Sequence, residues 1–166
     1  MKTTLLALLT LSLIVWLGAE IFFPIAAAVT FRSLAPDTHA AGKIVGQLLR
    51  ILHGMGLVSG LVAMAVLALA AARGIYAART VFPPMILLCL MIAGTLCSQF
   101  GIIPAMERDR IAAGGAIHAS DLTDPLTAHF DRLHHQSVWI EEAVLVLGLA
   151  TVVLLARAET LLIRPS

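Results

Sequence analysis

The sequence predicts an all-α fold, an integral membrane four-helix bundle, and three observations lead there. Hydrophobic residues make up 60% of the 166-residue chain and charged residues 13%, with a mean hydropathy of +0.96. Soluble domains hold about 45–50% apolar and about 25% charged residues. Four stretches reach the ~20 mainly apolar residues that cross ~30 Å of hydrocarbon. The alternating ~10-residue segments of a membrane barrel are missing from the sequence, and an open sheet leaves backbone groups unpaired in lipid, so helices remain.

The first span covers residues 4–31 and contains one charge, Glu20. Met1-Lys2 before a leucine-rich run resembles a secretory signal, but the run outlasts the ~7–15 residues of a signal core and is read as a span. The second covers 51–72, with His53 its one titratable group. Asp37, after the Leu34-Ala-Pro break, caps a helix that starts before the membrane. The third covers 81–103 without a charge; Pro83-Pro84 suit its first turn, and Pro104 stops it. The fourth covers 133–156 and carries His134, His135, Glu141 and Glu142. Thr123-Asp124-Pro125 starts that helix outside the lipid. With no internal repeat, residues 1–166 read as a single domain.

Composition also excludes partners and chemistries. Net charge is +1 without a basic block, so nucleic acid is not expected. Cys89 and Cys97 supply neither a disulfide framework nor zinc spacing and read as small core residues. No nucleophile–base–oxyanion set is visible, so the chain is not expected to be an enzyme. The bilayer is the expected partner, in the cell membrane, or the inner membrane of a bacterium. Orientation rests on the loops. The termini and the 73–80 turn hold Lys2, Arg73, Arg79, Arg157 and Arg164; the opposite side holds Arg32, Lys43, Arg50, Arg108, Arg110 and Arg132. The cations nearly balance, and six acids on the second side (Asp37, Glu107, Asp109, Asp121, Asp124, Asp131) favour cytoplasmic termini.

Polar residues within the spans recur at helical spacing. Phe130, His134, Ser137 and Glu141 form one stripe at about 100° per residue. Gly46, Arg50, His53, Leu57 and Gly60 form a second, and Trp16, Glu20 and Phe23 a third; the third span adds Ser98 and Gln99 near its end. All fall in the half of the membrane facing the 105–124 loop, as a one-sided polar cavity would require. The candidate binding residues are therefore Glu20, Arg50, His53, Gln99, His134, Ser137 and Glu141. Pro24 removes the bond to the Glu20 carbonyl, which marks either a cation or proton position or a packing kink with Glu20 satisfied by Arg50 or a histidine. Glu141 is expected inward and Glu142, about 100° round the helix, outward.

His53 and His134 enter from one side on different helices, so their rings are expected to meet. Such a pair suits a b-type haem, a transition metal, or a hydrogen-bonded packing cluster. His39, His118 and His129 read as solvated loop residues. Gly42-x-x-x-Gly46 and Gly56-x-x-x-Gly60 permit close helix approach, within the bundle or in a homo-oligomer.

Trp16-Leu-Gly18-Ala-Glu-Ile-Phe22-Phe23, Phe31-Arg-Ser-Leu34, the Gly42/Gly46 segment, Pro104 and Phe130-x-x-x-His134-x-x-Ser137 together resemble the transmembrane protein 205-like family, which includes bacterial proteins described only by a domain of unknown function. The likeness runs from about Leu13 to Leu149. It implies a four-span membrane protein with a histidine at the position of His53, and the eukaryotic member is associated with drug and metal-compound resistance and trafficking. Glu141 departs from the asparagine usual there, which alters the charge of that position. Three functional readings follow: a small membrane protein that binds or moves a solute, ion or metal; a haem- or quinone-associated electron-transfer subunit; and a structural or accessory subunit of a membrane complex.

Overall fold

The structure, a computed structural model, describes residues 2–114 and 124–163. His118, Asp121, Thr123 and Arg164 lie outside the described residues. The chain forms α1 (Lys2–Ser33), α2 (Thr38–Ala72), α3 (Ala78–Cys97), a π-turn (Ser98–Ile102), α4 (Ile103–Ala112) and α5 (Pro125–Ile163). Among the described residues there is no strand. α3, the π-turn and α4 run on as one rod, Ala78–Ala112, so four rods are long and apolar enough to cross a membrane. The protein is an all-α, multi-pass membrane bundle.

Local chemistry sets the helix starts. Asp37 accepts the Ala40 N–H at 2.9 Å and so caps α2. Asp124 accepts both the N–H and the hydroxyl of Thr127 at 2.9 Å, and Pro125 opens α5 where no N–H is needed. Gly74 turns the chain between α2 and α3 at φ 68°, a left-handed conformation that suits glycine.

Two proline expectations need correction. α3 begins at Ala78, so Pro83 and Pro84 stand inside the helix rather than in its first turn. Their missing donors free the carbonyls of Arg79 and Thr80, which lie at the charged end of the rod. Pro104 does not stop the third rod; the helix continues to Ala112. A proline removes one bond of the ladder, and the turns on either side of it carry the helical path on. Pro104 cannot donate to Phe100, and the chain widens there into a π-turn, with Ile103 N–H donating to the Ser98 carbonyl.

α2 lies between α1 and α3, and α5 packs mainly on α3 while closing more lightly on α1. The half nearer the termini is a mainly apolar core of Leu5, Leu9, Leu13, Leu67, Leu88, Met91 and Val144. Trp16 caps it, lying on Gly56 and Gly60 of α2. Gly148 of α5 likewise leaves room for Leu17 and Met91.

Candidate functional site

Four rods deliver polar side chains to one level directly above Trp16. Glu141 stands 16 residues from Arg157, about 24 Å of rise, and His53 and Gln99 stand 20 residues from Arg73 and Arg79, about 30 Å. In a core ~30 Å thick, this level lies close beneath the loop-side boundary.

His53 is fully buried at the centre. Its Nδ1 is 2.9 Å from Gln99 Oε1, and its Nε2 is 2.8 Å from Glu141 Oε1. Ser98 donates its hydroxyl to the same Glu141 oxygen at 3.2 Å. Glu141 Oε2 is buried and has no hydrogen-bond partner. On α1, the buried Glu20 accepts the indole N–H of Trp16 at 3.1 Å. Glu20 also lies within electrostatic reach of Glu141 and His53.

The π-turn explains how neighbouring residues serve one cluster. Successive α-helical side chains diverge by about 100°. The wider turn starting at Ser98 shifts that register, and Ser98 reaches α5 while Gln99 reaches α2. Such single turns recur at functional sites in helices.

The proton content is coupled to one amide. With Gln99 Oε1 toward the ring, both imidazole nitrogens donate and His53 is an imidazolium. Turned by 180°, the Gln99 amide donates to Nδ1, and a neutral ring still donates from Nε2 to Glu141. The cluster therefore accommodates one proton more or less without moving a helix.

The structure brings together His53, Gln99 and Glu141 by direct contact, with Glu20 beside them. Ser137 is buried one turn along α5 from Glu141, and Glu142 is exposed. Arg50 and His134 are exposed, outside the cluster. Glu20 is held by Trp16 rather than by Arg50 or a histidine. Ser98 as a donor to Glu141 and Trp16 as a donor to Glu20 were missed as site residues; the four-residue spacing of Trp16 and Glu20 was the available signal.

The expected meeting of His53 and His134 is corrected. His134 stands seven residues before Glu141, about 10 Å of rise toward the loops, and its ring lies edge-on to His135 with centroids 6.1 Å apart. Both His53 nitrogens are already engaged, which leaves none for haem or a transition metal. Among the described residues no group of three His, Cys, Asp or Glu side chains is placed to hold a metal ion. At the cluster itself these side chains pack on one another. A cleft of about 420 Å³ lies elsewhere, along Pro24, Ile25, Ala28, Val29 and Arg32. His129 is not simply solvated: its Nδ1 pairs with Asp109 at 2.7 Å, tying α4 to α5.

A family model described as a domain of unknown function, DUF4149, matches residues 11–111. That segment carries Trp16, Glu20, His53, Ser98 and Gln99, and ends before the helix of Glu141. No curated protein and no solved structure matches the chain.

Proposed function

We propose, for a chain that belongs to the DUF4149 family, a membrane protein that binds a small ion, the proton, at the Glu20–His53–Glu141 cluster. One observation carries this reading: the carboxyl of Glu141 bonds the single imidazole and leaves its Oε2 without a partner, while a second carboxyl, that of Glu20, lies within electrostatic reach of both. One imidazolium offsets one carboxylate; the second acid then needs a proton, because adjacent buried carboxylates resist ionising together. A proton on Oε2 also turns an unpaired acceptor into a donor.

Access in this reading is from the loop side, along buried Ser137 and exposed His134 on α5. Beneath the cluster the buried polar groups include the hydroxyls of Ser12, Thr95 and Thr151, each donating to a carbonyl of its own helix. Among the described residues no buried carboxylate or imidazole lies there, so in this reading the proton is held and returned rather than conducted across. With the termini in the cytoplasm, the site faces the external side. Kinship with the transmembrane protein 205-like family belongs to the same proposal, and on it deletion changes sensitivity to drugs or metal compounds.

The test is infrared titration of the lipid-reconstituted protein, followed through its carboxyl bands. Glu20→Gln and Glu141→Gln should each change the protonated-carboxyl bands of the native protein, and vesicles holding the native protein should leak protons no faster than empty ones. Bands that neither substitution moves, a protein without a protonated buried carboxyl, or one that conducts protons would sink the reading.

A further inference from the structure

α5 is the least covered of the four rods: 17% of its apolar window is buried, against 33–39% for the others. Its outward face carries Trp139, Glu142, Val146, Leu149 and Val153, all exposed. Glu142 lies about 22 Å of rise from Arg157 and so within the ~30 Å hydrocarbon core. No ion pair of the described residues includes it. A charged group facing lipid at that depth is costly, and such groups almost always face protein or water.

A complementary charge stands elsewhere on the same chain. Arg50 is exposed on α2 and unpaired among the described residues. It lies one turn from His53, about 4.5 Å of rise, and His53 is bonded to Glu141 beside Glu142. The other exposed loop-side cations, Arg32, Lys43, Arg108 and Arg132, lie about 13 Å or more of rise from the cluster residue on their own rod. A guanidinium on a long side chain spans the remaining offset between Arg50 and Glu142.

Their directions decide the kind of contact. α2 and α5 run the same way through the membrane and face each other through His53 and Glu141. Arg50 is turned about 60° from His53 and Glu142 about 100° from Glu141, in the same sense. Equal-sense rotations on two opposed helices lead to opposite sides of the bundle. One chain therefore cannot pair the two itself, and a two-fold contact would not join them.

We propose that a second copy of this chain covers the outer face of α5, its Arg50 meeting Glu142 in a head-to-tail contact that closes into a ring. This contact stands apart from the proton site. The test is the native mass of the full chain in lipid nanodiscs, expected as a multiple of the 17.6 kDa protomer. Glu142→Arg or Arg50→Glu alone should release single chains, and the two together should restore the ring. Because a reversed charge can impair folding, Glu142→Gln and Arg50→Gln provide a second series, each weakening association about tenfold at unchanged helix content. In a Cys89→Ser, Cys97→Ser background, Arg50→Cys with Glu142→Cys should give a ladder of disulfide-linked copies. A single-chain native mass, a ring indifferent to these changes, crosslinking through Glu142→Cys alone, or a different protein held on this face would each overturn the proposal.

Discussion

Gly56→Ala probes the contact that positions the buried acid on α1. A Cβ at Gly56 would stand 2.5 Å from Trp16 Nε1 and 2.8 Å from Cε2. The indole is 1% exposed, and one at Gly60 would meet its far ring at 2.5 Å, so α2 leaves it no slack. Restoring an ordinary ~3.5 Å contact moves the ring by about 1 Å. That shift breaks the 3.1 Å bond to Glu20. Overpacking costs about 1–3 kcal/mol, the lost bond to a carboxylate about 1.5–3, and the better helix propensity of alanine returns about 1, for a net loss of roughly 1.5–5 kcal/mol. Gly54→Ala is the control, since its Cβ meets nothing within 4 Å. Unfolding in mixed micelles, followed by helical circular dichroism, measures both. A Trp139→Phe background isolates Trp16 fluorescence, because Trp139 is 71% exposed and would otherwise dominate changes at the surface. Equal stability of the two alanine variants would refute the packing argument.

Three further outcomes follow from the same contacts. His53→Ala breaks a buried pair and strands Gln99 and Glu141, so it should cost about 3–5 kcal/mol in the same unfolding assay. Glu141→Gln should keep the fold, since an amide oxygen still accepts from His53 and Ser98, whereas Glu141→Leu should lose about 1–3 kcal/mol for each polar group left buried without a partner. Asp109→Ala removes the tie from α4 to His129 and should raise hydrogen exchange along α4, with α1 and α2 unchanged.

Hydropathy made the four rods legible, because lipid tolerates little besides long apolar helices. Asp37 and Asp124 were legible for a local reason: each answers donors three residues ahead in its own chain. Helical spacing also separates inward Glu141 from outward Glu142. Spacing along one helix gives a side but not a level relative to another helix, and so His134 was expected beside His53 when it stands two turns nearer the loops. It also leaves open which side of α2 a neighbour covers, and Arg50 was placed inside on that ground. The π-turn escaped because a proline after an apolar run reads as a helix stop. Here the helix absorbs it by widening, and that widening gives Ser98 and Gln99 their separate targets.

The depth of the cluster has an electrical consequence. Glu141 lies about 24 Å from the terminal-side cations of a ~30 Å core, so a charge arriving from the loop side crosses only about one fifth of an evenly falling transmembrane field. At ~2.3 kcal/mol per elementary charge for each 100 mV across the whole membrane, that fraction is about 0.5 kcal/mol. If the cluster binds a proton as proposed, its occupancy should thus follow the acidity of the facing compartment and respond little to membrane voltage.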